Sequence, residues 1–479
     1  MKKIFFLTLV SFFSLTTYAQ DMQQKKIELL KTAVIQFINE KNVDSLYSLA
    51  GEGFKKQLNA AAFTQFCQNN LFPLGKIKSA VLDTIESGVN KYKTIFELGI
   101  FFMYLSIDAN GKYEAFGFRP YKKAAGGNII KSKTDNALST ELDNKIESIV
   151  QPFMFDSKTI GLSIGVLKDG NAYFYNYGET KKGNGKIPSS KDLYEIGSIT
   201  KTFTGLLLAK AVIEKKMALN DPVNKYLPKD IPIIKFGNDT LRIVHLSNHT
   251  SGLPPLPENF GPVADAMNPY KNYDDAKLYS YLKVAKLFRK PGEKYEYCNL
   301  AAGLLGNILE RVYKMPYEKL VKKYVCTAAG LSDTKQFLTK TDSVLFVQGY
   351  NENILPNGQW DFKALAAAGC LRSNTMDMLK YAKFNAPPEV DTMPYLPVML
   401  YAMNLSHEPT FKDGQQQIGL NWFIQNWGWG NVLFHGGQTG GYKSFLAINP
   451  KTKNAVVILA NTAISNDEIG IKILQLLDE

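Results

Sequence analysis

The stretch Tyr194-Glu195-Ile196-Gly197-Ser198-Ile199-Thr200-Lys201-Thr202-Phe203 sets a serine and a lysine three residues apart, just ahead of an apolar run from Phe203 to Val212. A serine where a helix begins has unpaired backbone N–H groups beside it, and they can hold an oxyanion. Three positions on, Lys201 falls on the same helix face. A serine hydroxyl is a poor nucleophile until a base takes its proton. An ordinary lysine, with a pKa of about 10.4, is such a base only about once in a thousand at neutral pH. Partial burial and a second cation are expected to bring that pKa down. Without them Ser198 is a helix cap and Lys201 a surface residue. The same spacing recurs at Ser280–Lys283 and Ser332–Lys335. Ser280 sits among alternating polar and apolar residues and Ser332 in a loop after glycine, so Ser198 alone has a helix-opening context.

Two further stretches supply partners. Pro291-Gly292-Glu293-Lys294-Tyr295-Glu296-Tyr297-Cys298-Asn299 ends in Y-x-N and runs into an apolar helix, Ala301 to Leu309. A phenol near Ser198 and Lys201 can shuttle a proton between nucleophile and leaving group. The Asn299 amide can donate to a substrate carbonyl and orient the lysine. A core tyrosine is the plain alternative. A second Y-x-N, Tyr270–Asn272, lacks this context and reads as a chance copy. Phe434-His435-Gly436-Gly437-Gln438-Thr439-Gly440-Gly441-Tyr442 lies between two strand-like runs. Its glycines, Gly437 among them, let backbone approach a ligand closely. The Gln438 N–H, paired with that of Ser198, is the candidate oxyanion hole, each donor worth roughly 3–4 kcal/mol to the chemical step. His435 can hydrogen-bond a substrate carboxylate or assist proton transfer. A Gly-rich hairpin with an incidental histidine is the alternative.

Taken together, in this order and at these distances, the three motifs resemble the serine β-lactamase and penicillin-binding-protein superfamily, closest to its class C-like branch of lactamases, DD-peptidases, D-aminopeptidases and esterases. Leu246-Ser247-Asn248-His249-Thr250-Ser251-Gly252-Leu253-Pro254 is similar to a family segment. Ala367 to Ser373, followed by Asp377, resembles its small-residue loop, and Gly419-Leu420-Asn421-Trp422 its G-L-G-W strand. The resemblance covers residues 140–479. It implies that Ser198 is acylated, that Lys201 and Tyr297 share acid and base duty, and that Asn299, His435, Gly437 and Gln438 bind substrate. It implies no metal and no organic cofactor. His435 stands where lactamases usually carry the lysine of K-T-G, and Gly436 replaces the hydroxyl residue. Histidine is mostly neutral at pH 7, so its hold on a substrate carboxylate is expected to be weak, and family members with H-x-G are often peptidases or esterases. Cys298 replaces the usual serine and is expected to be neutral packing. His245 and His249, four apart, lack the glutamate of a zinc H-E-x-x-H helix, so a structural role is expected.

Around this core, 479 residues are too many for one ordinary core. The expected fold is α/β: a β-lactamase/transpeptidase-like antiparallel sheet flanked by helices with a helical lobe, residues 138–479. A linker, 121–137, and a small α+β domain, 20–120, precede it. The small domain loosely resembles nuclear transport factor 2-like modules. Its first half has helical spacing from Ile27 to Ile38, and its second half strand-like runs at Tyr92–Leu98, Ile100–Ile107 and Tyr113–Phe118. In the larger domain, an amphipathic helix over Leu138–Phe153 precedes strands at Ile160–Leu167 and Ala172–Tyr177. Later strands are expected at Val432–His435, Ser444–Ile448 and Ala455–Leu459, with residues 200–425 mostly helical. Residues 1–19, with Lys2, Lys3, an apolar run and Thr17-Tyr18-Ala19, read as a secretory signal. Export to the periplasm or medium is expected, with no transmembrane anchor after cleavage. The formal charge of +12 is spread out, unlike the focused patch of a nucleic-acid reader. The expected partner is a small-molecule or peptide substrate, such as one derived from the cell wall. A rival class is a non-catalytic envelope binding protein on the same fold.

Overall fold

The computed structural model describes residues 23–86, 88–120, 131–155, 159–261, 265, 267–386, 397–414 and 416–479. The expected signal segment, and residues 121–130 of the expected linker, lie outside them. The chain divides into two units, Met1–Ile129 and Ile130–Glu479. Residues 131–137 belong to the second: Thr134 bridges Tyr177, and the Asp135 carboxylate accepts from the Asn176 side chain at 2.6 Å.

In the first unit, helix α1 (residues 23–39) buries Ile27, Leu30, Val34 and Ile38, at steps of three and four. Short helices α2 (Val43–Ser48), α3 (Glu52–Gln57) and α4 (Ala60–Phe66) follow. Asn42 and Asn59 cap α2 and α4 by accepting from the N–H groups of Ser45 and Ala62. Strands β1 (Ile77–Glu86), β2 (Val89–Phe96), β3 (Gly99–Ile107) and β4 (Tyr113–Pro120) form an antiparallel sheet in chain order. The core between helices and sheet is aromatic, with Phe63, Tyr92, Phe96 and Tyr113 fully or almost fully buried.

The second unit opens with α5 (Glu141–Met154), started by a capping box between Thr140 and Asp143. Strands β5 (Gly161–Lys168) and β6 (Asn171–Gly178) turn about Asp169-Gly170, both at positive φ, the requirement of a tight hairpin turn. The sheet is completed from the far end of the chain by β7 (Phe411–Asp413), β8 (Gln416–Ile418), β9 (Phe423–Asn426), β10 (Asn431–Gln438), β11 (Lys443–Ile448) and β12 (Ala455–Ala460). The order is β7-β8-β9-β10-β11-β12-β5-β6, antiparallel throughout. Leu162, Ile164 and Val166 face α5 and the last helix, α9 (Asp467–Asp478). The opposite face packs on the helical lobe, where Gly165 meets Leu379 of α8 (Thr375–Asn385). With both faces covered, β5 and β12 read as continuous apolar runs.

Two expectations need correction. Residues 200–425 contain the short strands β7 and β8 and the start of β9, which polar residues such as Lys412, Gln416 and Gln417 hide from a hydrophobic pattern. Gly419–Trp422 is the connection between β8 and β9, with Asn421 at φ 61 and Trp422 buried against Tyr381.

Helix α6 (Thr200–Ile213) runs through the middle of the lobe. Thr200 to Ala211 are all buried, as expected of a helix apolar on every side. Phe203 stacks on Tyr381 of α8 with ring centroids 4.0 Å apart. Its buried polar groups are partnered: Thr202 donates to the Ile199 carbonyl and Lys210 pairs with Glu214. A helix held this firmly fixes whatever stands at its first turn.

Candidate active site

A single 3₁₀ turn, Gly197–Ile199, leads into α6 and presents Ser198. Gly197 adopts φ 49, and a Cβ there would stand 2.7 Å from the Gln438 nitrogen. A Cβ on Gly437 would come within 2.1 Å of the Ile196 carbonyl oxygen. Only glycine at both places allows the serine turn and the end of β10 to touch. That contact brings the backbone of Ser198 and Gln438 to one spot.

Lys201 lies one turn inside α6 with no exposed surface. Its ammonium is 3.0 Å from Ser198 Oγ, 2.8 Å from Asn299 Oδ1 and 2.7 Å from the Ala368 carbonyl oxygen. Burial brings its pKa down from 10.5 to about 7. The second cation expected from the sequence is not needed: desolvation alone lowers the value.

Tyr297 and Asn299 flank the start of α7 (Asn299–Tyr313). Burial raises the Tyr297 phenol above its ordinary value, against a hydrogen bond shared with Ser198. The Lys201 Nζ sits 4.8 Å from the Tyr297 ring centroid. Asn299 accepts from Lys201 and donates Nδ2–H to the Tyr270 hydroxyl at 3.4 Å. Cys298 is more than packing: its sulfur caps α7 by accepting from the Ala301 N–H at 3.2 Å, and donates to the Pro254 carbonyl at 3.1 Å.

His435 is buried behind Tyr297, and burial lowers its pKa to about 3. Its Nδ1 lies 2.6 Å from the Gly436 carbonyl oxygen. Nδ1 therefore carries the proton, and Nε2, which has no partner, is a bare acceptor. His249 accepts the Cys298 N–H on Nδ1 at 3.1 Å, and its ring lies 4.5 Å from that of Tyr297. His245 accepts the Arg242 N–H at 3.2 Å. Among the described residues, no group of three His, Cys, Asp or Glu is placed to hold a metal ion.

The cleft at Ser198 is narrow, about 20 Å³, the room of roughly one water. Tyr270, Trp360 and Phe362 wall it, and Tyr270 stacks on Phe362 at 4.4 Å. Tyr270, dismissed in the sequence as part of a chance Y-x-N, is thus a wall residue and the partner of Asn299. A larger cavity, about 610 Å³, borders Lys181, Lys186, Asn357 and Tyr442. It holds no paired nucleophile and base, so geometry rather than size locates the site. Behind the cleft, Glu195 accepts the Trp360 N–H at 2.7 Å and meets Arg372 at 3.4 Å, both buried. Burial pushes Glu195 up to about 7 against the opposing pull of Arg372.

The arrangement, a serine at a helix start hydrogen-bonded to a buried amine whose pKa is near neutrality, is that of a serine hydrolase of the Ser-x-x-Lys type. The Beta-lactamase family profile matches residues 146–477, and the chain belongs to that family. A Beta-lactamase from Pseudomonas fluorescens is 28% identical over 362 residues, 69% of this chain and 96% of that protein. Protein flp of Staphylococcus aureus is 26% identical over 333 residues, 68% of this chain and 64% of that one. Among solved structures, a Beta-Lactamase/D-Alanine Carboxypeptidase from Pseudomonas syringae superposes with a TM-score of 0.63 at 24% identity, over 70% of this chain and 99% of that one. A class C beta-lactamase superposes at 0.62 and 23% identity, over 70% and 96%. At such identities the structural likeness shows the fold: the β-lactamase fold, an antiparallel sheet flanked by helices.

Proposed function

We propose that the protein hydrolyses an amide, peptide or ester through an acyl-enzyme on Ser198. The observation that carries this is the Lys201 amine, fully buried, near neutral in pKa and 3.0 Å from Ser198 Oγ. Neutral Lys201 takes the hydroxyl proton as Oγ bonds to the carbonyl carbon. The carbonyl electron pair moves onto oxygen, facing the Ser198 and Gln438 N–H groups. When the intermediate collapses, the bond to the leaving group breaks. Lys201 returns the proton to that group through the Tyr297 hydroxyl, which burial keeps protonated. Water then repeats the sequence on the acyl-enzyme. Asn299 holds the lysine and, by releasing Tyr270, offers its amide to the substrate. Residues 1–19 act as an export signal in this reading, which places the reaction outside the cytoplasm. In the same reading, residues 20–120 are a separate small α+β module of the nuclear transport factor 2-like kind.

DD-peptidase, D-aminopeptidase, esterase and weak β-lactamase activities all use this chemistry. Neutral His435 and side-chain-free Gly436 withhold from a substrate carboxylate the cation and hydroxyl that lactamases carry there. A fluorophosphonate probe tests the proposal. Mass added to the intact protein and absent in Ser198→Ala is expected; well-folded protein that takes no label from this probe or from a labelled penicillin is a binding protein instead. A panel of short-chain p-nitrophenyl esters, D-Ala-D-Ala peptides and nitrocefin then ranks the substrate classes.

A further inference from the structure

The cleft at Ser198 has room for about one water, so most of any acyl group must lie beyond it. Proton traffic decides the direction. The leaving group has to meet the Tyr297 hydroxyl, and Tyr297 does not line this cleft. The acyl group therefore extends the other way, along the wall of Tyr270, Trp360 and Phe362.

That wall borders the larger cavity of about 610 Å³, a size that suits a small-molecule ligand. Two chain segments pass from the cleft into the cavity. Trp360 lines the cleft and its neighbour Gln359 lines the cavity, with Cα atoms about 3.8 Å apart. Facing them, Thr439 lines the cleft and Tyr442 the cavity, at the two ends of the turn between β10 and β11. The glycines of that turn let it press on the first segment: a Cβ on Gly440 would stand 2.4 Å from Asn357 Nδ2 and 2.8 Å from Trp360 Nε1. Gln348 Nε2 donates to the Asn357 carbonyl oxygen at 3.1 Å, and the Tyr442 hydroxyl donates to the Val347 carbonyl oxygen at 2.6 Å. The two spaces adjoin along Trp360 and the glycine turn, and both segments are tied in place.

At its solvent side the cavity is basic. Lys181 and Lys186, on the loop after β6, both line it and both are exposed. Neither pairs with a carboxylate among the described residues. Lys133 Nζ stands 3.3 Å from where a Cβ on Gly185 would be, which sets a third ammonium beside this loop. The two nearby acids are engaged by backbone: Glu179 accepts the N–H groups of Gly183 and Gly185, and Asp192 that of Ser189. Between the lysines and Trp360, Leu345 and Phe346 give the cavity an apolar side.

We propose that this cavity is a distal subsite for the acyl half of the substrate, selecting an extended acyl chain whose far end carries a carboxylate for Lys181 and Lys186. The inference rests on Ser198 as the acyl-transfer nucleophile and adds the length and charge of the acyl donor. The apolar side carries the chain, and the free ammonium groups take the charge. Because the lysines are exposed, the selectivity they give is a matter of several-fold, and it appears only with acyl chains long enough to pass Trp360.

The test uses p-nitrophenyl monoesters of straight-chain dicarboxylic acids of four, eight and twelve carbons, each beside the ester whose far carboxylate is a carboxamide. The ratio of kcat/KM for acid over amide is measured on the full-length protein. It should rise about fivefold from the shortest chain to the longest. In Lys181→Ala/Lys186→Ala that rise should vanish while the shortest esters stay within twofold of the parent; in Lys181→Arg/Lys186→Arg it should remain. Lys145→Ala/Lys472→Ala removes the same charge from the helices on the other face of the sheet and should leave the rise intact, which separates a subsite from general attraction. The dissociation constant of the longest acid ester, read by calorimetry on Ser198→Ala, should weaken about fivefold when Lys181→Ala/Lys186→Ala is added. That weakening without turnover by the parent protein keeps the subsite and discards the Ser198 chemistry. Turnover with a ratio independent of chain length, a rise that survives in Lys181→Ala/Lys186→Ala, or an unchanged dissociation constant overturns the subsite and leaves the Ser198 chemistry standing.

Discussion

The two units treat buried polar groups differently. In residues 23–120 the buried polar side chains are few, Asn90 and Thr94 among them, and both are hydrogen-bonded. Among the described residues, every buried side-chain nitrogen or oxygen without a partner lies in the second unit. Several lie around the site, on His249, Trp360, Arg372 and His435. An unpaired buried polar atom costs about 1–3 kcal/mol, so a protein that keeps several together accepts instability there. The first unit shows the opposite economy: an aromatic core with satisfied polar groups, and apolar side chains such as Val81, Ile85 and Leu98 left at the surface. Chemistry is concentrated where satisfaction is incomplete.

Five experiments would break or sharpen that contrast. Ser198→Ala is the most severe, with an expected loss of about 10⁴–10⁶ in kcat; ester turnover within tenfold of the parent would place the chemistry elsewhere. Lys201→Met should cost about 10³-fold, within the range for a positioned general base. In the parent protein the working form of Lys201 is the neutral amine. Since its pKa lies at about 7, kcat/KM should climb as pH rises through 7 and level off above it. A flat profile from pH 5 to 9 would assign the proton to another group. Tyr297→Phe keeps the ring against His249 and removes the hydroxyl, so a loss of about 10²-fold is expected, read as kcat on esters with poor leaving groups. Phe63→Ala in the first unit should leave ester turnover within about twofold, yet cost that unit about 3–5 kcal/mol in chemical denaturation. A large loss of turnover in that variant would show that the two units share more than a chain.

How much of this was legible beforehand depended on range. The serine turn, the Y-x-N segment and the glycine-rich strand end carry their information locally, as a helix start, a turn and a small-residue run, and those stretches do meet in the structure. The pairing of the first hairpin with the last strands could be inferred from apolar runs at both ends of the domain. Contacts between remote single residues could not. Arg372 and Glu195 stand 177 positions apart, and no periodicity encodes their meeting. Tyr270 sits among neighbours that look ordinary in sequence; its place opposite Asn299 is a contact between residues 29 positions apart, which no local pattern encodes. Cys298 looked like a silent replacement, since sulfur is a weak acceptor. Its capping bond depends on backbone geometry at the start of α7, which composition does not reveal.

The closure of the large sheet has a consequence for how the chain reaches its native state. Ala460 of β12 sits opposite Leu162 of β5, so a ladder in the middle of the sheet joins segments separated by nearly the whole domain. Such high contact order slows folding, because loop entropy is lost before the pairing rewards it. On a ribosome the hairpin of β5 and β6 emerges early and must wait, one apolar edge unsatisfied, until the last residues are made. During that interval the nascent chain is open to association with other chains, and a factor that shields the β5 edge would raise the yield of folded protein without touching its final stability.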